Sequence, residues 1–188
     1  MPVVDLRPAL NAARQQQQVY YKTDTHWNYL GANVAQFEIM KAVKVLRDRA
    51  MPARLLDANQ FIERQKDDGD LARMMGGNPV SEVDPRPVFE DACEPVAERD
   101  LEKHTDTQSY HCDSGALNAL IFRDSFFSAL QPFIARYFER STYIWQGASR
   151  KALDKYIVID KPDIVIEETV ERTLPYIHSV YREYLDEA

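Results

Sequence analysis

The sequence predicts an α/β fold built on a mainly parallel sheet. Three apolar or β-branched runs, at 117–122, 141–145 and 163–166, have the length and composition of buried strands. Helical spacing of apolar residues covers 127–138 and 152–159, between these runs. Strands and helices that alternate in this way favour parallel pairing with right-handed crossovers, so helices are expected to flank the sheet.

The N-terminal part predicts one long helix and little sheet. Short β-prone pieces lie at 3–4 and 19–21. From Asn28 onward, apolar residues recur every three or four positions, which predicts an amphipathic helix in a region that Pro52 closes. At the other end of the chain, a last amphipathic stretch is expected over 169–184.

Residues 64–116 differ in character from both flanks. They are rich in proline, glycine and charge, and they sustain no hydrophobic period. Long segments of this kind inside compact domains are commonly lids, binding loops or disordered inserts. Since 188 residues suit one domain, we expect a single domain over 1–188 with an irregular insert at about 64–116.

The composition excludes several classes of function. The chain has 23 basic and 30 acidic side chains and a net charge of −7, which argues against nucleic acid and anionic lipid as partners. No apolar run is long enough to cross a bilayer, so no transmembrane segment is expected. The first residues lack the basic and apolar regions of a secretory signal.

Ser125 lies between the first predicted strand of the last third and a predicted helix. Ligands of open α/β sheets bind beyond the carboxyl ends of strands, so this serine is expected to lie exposed above the sheet. Its own N–H and those after it, at a helix N-terminus, would stabilise a developing oxyanion. The alternative is that Ser125 only caps the helix.

Asp24 and His26 form a second candidate site. They are two residues apart, so in an extended segment both side chains point the same way. A histidine held by a carboxylate is the usual base that activates a serine, and Trp27 would exclude water from such a site. The alternative is a helix cap at Asp24 or Thr25 beside an ordinary surface histidine.

Three sequence blocks resemble one known family. The stretch VYYKTDTHWNYLGA resembles the D-x-H-W block of the SGNH hydrolase-like acetyltransferases, the alginate O-acetyltransferase (AlgX/AlgJ-like) family. ALIFRDSFFSAL resembles the serine block of that family, and KPDIVIEETVERTL resembles its closing strand and helix. The order Asp, His, Ser is also that of the family. The resemblance covers about 1–46 and 117–175.

The resemblance implies an SGNH-like three-layer fold and assigns roles to the candidate residues. Ser125 would be the nucleophile, His26 the general base and acid, and Asp24 its orienting partner. Apart from the resemblance, we expect Trp27, Tyr29 and Arg123 to contact the substrate, and Arg123 is also a candidate for the second oxyanion donor by its adjacency alone. Family domains carry more sequence before the D-x-H-W block, so N-terminal strands of the sheet are expected to be missing here.

The resemblance also implies partners, location and reaction. The expected reaction is O-acetylation of a polysaccharide through an acetyl-serine intermediate, with an acetyl donor delivered by a membrane partner protein, in the periplasm. The cytoplasm is the alternative location for a chain without a signal peptide. One alternative is a carbohydrate esterase or deacetylase that uses the same residues. The other alternative is a protein that is not an enzyme and serves in carbohydrate binding or assembly. No cofactor is expected.

Several smaller features stay open at this level. Cys93 and Cys112 are either joined or free thiols. Glu167 and Glu168 either line the cleft or begin a helix, with Glu168 paired to Arg172.

Two groups of residues complete the candidates. One is a weak set of metal ligands that matches no familiar zinc spacing, so no metal site is expected: His104, His111 and Cys112, with Asp106 or Asp113. The other is a dense aromatic set that is either core or a sugar-stacking platform: Tyr20, Tyr21, Trp27 and Tyr29.

Overall fold

The computed structural model describes residues 2–47, 53–67, 69–76, 80–90, 93–96 and 107–173. The chain divides into two compact units, 1–91 and 92–188. The predicted single domain over 1–188 stays a prediction. Among the described residues, no helix has both the length and the apolarity needed to cross a membrane.

The first unit is built around one long helix. Its elements are α1 (Arg7–Ala13), α2 (Tyr29–Arg47), β1 (Phe61–Asp67), α3 (Asp70–Met75) and β2 (Ser81–Pro87). Helix α2 confirms the amphipathic helix predicted from Asn28 onward. Its buried apolar residues recur at helical spacing and form the core of this unit: Ala32, Ala35, Ile39, Met40 and Val43.

The segment predicted to be irregular is largely regular where it is described. Strands β1 and β2 pair antiparallel, from Phe61 opposite Pro87 to Asp67 opposite Ser81. Helix α3 belongs to the segment of chain that connects the two strands. The prediction of an irregular insert at about 64–116 is therefore wrong for these residues. Most side chains of β1 are exposed, so the hairpin shows no hydrophobic alternation in sequence.

The second unit contains a five-stranded mixed sheet. Its strands are β3 (Glu94–Val96), β4 (Gln108–His111), β5 (Asn118–Phe122), β6 (Arg140–Ile144) and β7 (Ile164–Glu167). The spatial order is β3-β4-β6-β5-β7. The three predicted strands, β5 to β7, are parallel as expected, whereas β3 and β4 add two antiparallel pairings at one edge. The α/β class is thus confirmed.

Helical segments cover both faces of this sheet. Helix α5 (Arg150–Asp160) packs through Ala152 and Tyr156 on Leu120 and Phe122. On the opposite face, the Phe127 ring packs on Tyr143 with centroids 5.7 Å apart. Within this unit the layers are therefore helix, sheet and helical segment.

The predicted helix over 127–138 is broken into three short pieces. They are the 3-10 helix Ser125–Ala129, α4 (Gln131–Ile134) and the 3-10 helix Ala135–Tyr137. Pro132 occupies the first turn of α4, where a residue without an N–H is tolerated. In the middle of one continuous helix the same proline would remove a hydrogen bond, so a new helix begins at this point.

Other short predictions had mixed outcomes. The pieces at 3–4 and 19–21 form no strand, and only Tyr20 makes an isolated bridge, to Trp27. The stretch predicted as a helix over 169–184 begins as coil, with the 3-10 helix Glu171–Thr173. Residues 174–184 lie outside the described residues.

Cys93 and Cys112 are joined in a disulfide, with their Cα atoms 4.6 Å apart. The bridge ties the start of the edge strand β3 to the end of β4 and closes a loop with a sequence separation of 19. Closing such a loop removes conformational freedom mainly from the unfolded chain.

Replacing both cysteines, Cys93→Ala with Cys112→Ala, is expected to lower the free energy of unfolding by about 3 kcal/mol. Chemical denaturation of the oxidised wild type, the reduced wild type and the double variant measures this. The reduced wild type should unfold near the double variant. Coincident curves for the oxidised and reduced protein would contradict a stabilising bridge.

Candidate active site

The Asp24 and His26 side chains meet in the loop before α2. His26 Nδ1 lies 2.6 Å from Asp24 Oδ1, and the His26 backbone N–H donates to the same oxygen at 3.1 Å. Because an ionised carboxylate can only accept, Nδ1 carries the proton and Nε2 is left as the basic nitrogen. The imidazole is 27% exposed and Asp24 is nearly covered. This is the arrangement of a histidine base held in one tautomer.

Lys66, on β1, completes the pair from the other side. Its Nζ lies 3.0 Å from Asp24 Oδ2 and 4.8 Å from the centre of the Tyr21 ring. Burial alone would raise the pKa of Asp24, but hydrogen bonds from His26 and Lys66 outweigh it and hold that pKa well below its ordinary value. Asp24 therefore stays an anion throughout the neutral pH range.

Two further acids hold the loop in place. Glu82 on β2 accepts hydrogen bonds from the N–H groups of Lys22 and Thr23, at 2.8 and 2.9 Å, and from the Thr23 hydroxyl. Asp70 at the start of α3 accepts from the Thr25 N–H at 2.7 Å and from its hydroxyl. The hairpin and α3 thus form the scaffold of the Asp24–His26 loop.

Gly69 lets α3 approach this loop closely. A Cβ at this position would lie 2.1 Å from the backbone oxygen of Thr23, which also accepts a hydrogen bond from the Ala72 N–H at 3.1 Å. Real Cβ atoms do not come so near to backbone atoms, so a side chain here must displace the Asp24–His26 loop.

Gly69→Ala is expected to lower stability by roughly 1–3 kcal/mol and catalytic activity by about 100-fold. The reason is that the new methyl group pushes Thr23, and with it Asp24, out of position. Thermal unfolding and kcat/KM on a chromogenic acetate ester measure the two effects. Gly147→Ala is the control, because its Cβ would meet only Glu167 Oε1 at an ordinary 3.6 Å. Equal, small effects of both substitutions would contradict the prediction.

Asn28 explains the N-x-x-G spacing after Trp27. Its Oδ1 accepts from the N–H groups of Leu30 and Gly31, both at 3.0 Å, and its Nδ2 donates to Gln18 O at 2.7 Å. A Cβ on Gly31 would lie 2.3 Å from the backbone oxygen of Val19. Asn28 therefore caps α2 and ties the start of the helix to the preceding chain.

Trp27 lies inside the protein. Only 5% of it is exposed, whereas 41% of Tyr20 is exposed. A ring this deeply buried offers little surface on which a sugar could stack. The predicted contact of Trp27 with substrate stays a prediction.

Tyr21 and Tyr29 belong to a polar cluster with Asp84 and Arg86. The Tyr21 hydroxyl donates to Asp84, Arg86 also pairs with Asp84, and Arg86 Nη1 donates to the Tyr29 hydroxyl at 2.6 Å. Burial, followed by the hydrogen bond to Asp84, raises the pKa of Tyr21 far above its usual range. Both hydroxyls serve the structure, so the role of Tyr29 in substrate binding stays a prediction.

Ser125 lies in the second unit, where it opens a 3-10 helix just beyond β5. It is partly buried. Asp124 is the residue that caps this helix, because its Oδ1 accepts from the Phe126 N–H at 2.8 Å. The alternative that Ser125 itself caps the helix is therefore wrong. The Phe126 N–H is engaged in this bond, and its expected part in stabilising an oxyanion stays a prediction.

Arg123 supports the turn that carries Ser125. Only 4% of it is exposed, its Nη1 donates to Asp124 O and to Ser128 Oγ, and its Cζ lies 3.8 Å from the centre of the Trp145 ring. These contacts assign Arg123 a bracing role, and its expected contact with substrate stays a prediction. Trp145 follows β6 at the same edge of the sheet and is 45% exposed.

The acids after β7 hold neighbouring loops. Glu167 Oε1 accepts from the Ala148 N–H at 2.9 Å, and Glu168 Oε2 accepts from the Asp124 N–H at 3.3 Å. Arg172 lies over the Phe126 ring, 5.4 Å from its centre. The expectation that these acids begin a helix is wrong, because residues 168–170 are coil. Glu168 instead lies beside the Ser125 turn.

One group of possible metal ligands occurs among the described residues: Asp24, His26 and Asp70. Lys66 already places a positive charge on Asp24, so this group is better explained as an ion-pair network. In the weak set of candidate ligands considered near Cys112, that residue is engaged in the disulfide. His111 instead lies 3.0 Å from Asp113, and His104 and Asp106 are outside the described residues.

Comparison with known proteins decides the family. Residues 1–135 match the family described as SGNH hydrolase-like domain, acetyltransferase AlgX. The chain belongs to this family. The sequence matches no curated protein at a significant level.

Solved structures resemble this chain, and the first two described here, with TM-scores above 0.5, show the same fold. PatB1 of Bacillus cereus is 15% identical, with a TM-score of 0.54 over 86% of this chain and 65% of the other. A DHHW family protein from Eubacterium siraeum is 15% identical, with a TM-score of 0.59 over 87% and 62%. The O-acetyltransferase domain of Pseudomonas putida AlgJ is 20% identical, with a TM-score of 0.49 over 91% and 59%. The chain thus spans less than two thirds of each.

Sequence analysis missed the residues that support the AlgX-family motifs. Lys66, Asp70 and Glu82 lie in the segment expected to be an irregular insert, and no spacing links them to Asp24 or His26. Two other supporting residues could be suspected from the sequence, though only weakly. Asp124 is an acid directly before a predicted helix, and Gly69 is a glycine directly before the acid Asp70. These supporting roles depend on contacts across the fold.

Proposed function

We propose that the protein transfers an acetyl group through Ser125 to a hydroxyl group of a polysaccharide. In this proposal His26 is the general base and acid, and Asp24 orients it. The observation that carries the proposal is the Asp24–His26 pair, which has Nε2 as its basic nitrogen. Membership of an acetyltransferase family and the position of Ser125 beyond a parallel strand support it.

The first half-reaction loads the serine. His26 Nε2 takes the proton of the Ser125 hydroxyl as Oγ attacks the acetyl carbonyl of a donor ester. The resulting oxyanion is stabilised by the Ser125 backbone N–H and a second donor. As the tetrahedral intermediate collapses, the bond to the donor oxygen breaks, and that oxygen receives the proton from His26. The product is acetyl-Ser125.

The second half-reaction transfers the acetyl group. A sugar hydroxyl attacks acetyl-Ser125 while His26 Nε2 takes its proton. The Ser125 Oγ–carbonyl bond then breaks, and His26 returns the proton to Oγ. The acetylated sugar leaves, and the enzyme is restored. Water in place of the sugar would give hydrolysis by the same residues, which is the esterase alternative.

The Cys93–Cys112 disulfide is consistent with a periplasmic location, since disulfides persist in oxidising compartments. We propose a polysaccharide or oligosaccharide as acceptor and a membrane partner protein as the source of acetyl groups.

Incubation with a chromogenic acetate ester and an oligosaccharide tests the proposed reaction. We expect acetylated oligosaccharide by mass spectrometry, in addition to released chromophore. A fluorophosphonate probe should label the protein, and peptide mapping should locate the adduct on Ser125. Chromophore release without any acetylated sugar would favour the esterase, and an adduct on another serine would refute the proposed nucleophile.

A further inference from the structure

The Ser125 turn is fastened to the segment that follows β7. Asp124 Oδ2 accepts from the Val170 N–H at 2.7 Å, and Glu168 Oε2 accepts from the Asp124 N–H at 3.3 Å. The Glu168 N–H in turn donates to Phe122 O at 2.9 Å. Because β5 and β7 are parallel neighbours, these bonds lie at the carboxyl edge of the sheet, beside Ser125. Their arrangement fixes the residue before the proposed nucleophile.

Glu168 and Asp124 lie close together at this connection, because the Glu168 carboxyl group accepts the Asp124 N–H. Asp124 uses both carboxyl oxygens to accept backbone N–H groups, from Phe126 and Val170. Glu168 lies against it, so two charges at this place would repel. Burial, followed by the Asp124 charge, raises the pKa of Glu168 to about 8, although Arg123 opposes this. Asp124 and Arg123 are the charged groups found to act on Glu168 in the described part of the chain.

We propose that Glu168 is a positioning residue for Ser125. As a neutral carboxylic acid, Glu168 accepts the Asp124 N–H without bringing a second negative charge to this place, and so keeps the Ser125 turn fastened to the segment after β7. Loss of the carboxyl proton of Glu168 places two negative charges together and loosens the turn. This inference rests on the proposed function, in which Ser125 is the nucleophile.

The proposal sets the sign of two pH effects. Activity should fall as pH rises through about 8, by about tenfold per pH unit, because the turn loosens when Glu168 loses its proton. Stability should fall between pH 4.5, the ordinary value for this group, and about 8. Over that range the unfolded chain has released the proton that the folded protein still binds.

Glu168→Gln tests both effects, because the amide resembles the neutral acid and cannot ionise. We expect its kcat/KM with the chromogenic ester to lack the fall near pH 8. We also expect its Tm to exceed that of the wild type by a few degrees at pH 8 and to match it near pH 4.5. Glu168→Ala should lose activity by roughly 100-fold at all pH values, because the turn loses its partner. The control is Glu139→Gln, which should behave as the wild type. Glu139 is an exposed acid directly before β6, at the end of that strand that lies away from Ser125.

The two readouts separate the inference from the proposed function. A Glu168→Gln variant that keeps the alkaline fall and the stability profile of the wild type would overturn the inference. If no variant and no wild type transfers acyl groups, the proposed function fails and with it the positioning role. The stability comparison then still decides whether Glu168 keeps its proton in the folded protein up to about pH 8.

Discussion

Ser125→Ala is expected to lower kcat for acetyl transfer and for ester hydrolysis by on the order of 10⁴-fold or more. The variant lacks the oxygen that forms the acyl-enzyme, so both half-reactions are lost together. Asp124 caps the 3-10 helix, and so the variant should fold with an unchanged Tm. Stopped assays of acetylated oligosaccharide and of released chromophore measure the two activities.

Ser114→Ala is the matched control for this experiment. Ser114 is exposed in the turn before β5, at the other end of the strand that leads to Ser125. Its substitution should leave both activities as in the wild type. If Ser125→Ala kept a tenth or more of either activity, the proposed nucleophile would be wrong, whatever the effect of the control.

Asp24→Asn is expected to lower kcat by about 10⁴-fold, with KM little changed. An amide that donates to His26 Nδ1 would shift the proton to Nε2, where it blocks proton transfer from the serine. The substitution also leaves Lys66 without its anionic partner. Since the pKa of Asp24 lies far below its ordinary value, the wild type should not lose activity through Asp24 above pH 5.

Asp70→Asn separates the orienting acid from its neighbour. Asp70 Oδ2 lies 3.9 Å from His26 Nδ1, against 2.6 Å for Asp24 Oδ1. An amide at position 70 can still accept from the Thr25 N–H, so we expect a loss of roughly tenfold at most. A larger loss for Asp70→Asn than for Asp24→Asn would show that the roles of the two acids are exchanged.

The catalytic candidates could be predicted because they occur in short, contiguous motifs. The D-x-H spacing places both side chains on one side of the chain, and the loop brings Asp24 and His26 into contact as expected. The strands β5, β6 and β7 could be predicted because buried parallel strands are continuous apolar runs. Such signals are local and survive without knowledge of the rest of the fold.

The hairpin β1–β2 could not be predicted in the same way. It exposes most of β1, and two prolines occupy β2, at Pro85 and Pro87. The resulting pattern of charge and proline is typical of a loop. Its polar side chains are nevertheless what holds the loop of Asp24 and His26, through Lys66 and Glu82.

The sequence by itself determined the α/β class, the family and the candidate residues Asp24, His26 and Ser125. Only the tertiary structure decided how these residues are supported, because their partners lie some 40 to 60 positions away along the chain and are chosen by contact. Thr23 meets Glu82, 59 positions on, and Asp124 meets Glu168, 44 positions on. Hydrogen bonds and charge pairs act over a few ångströms in space, and no spacing in the sequence records which distant groups will come that close.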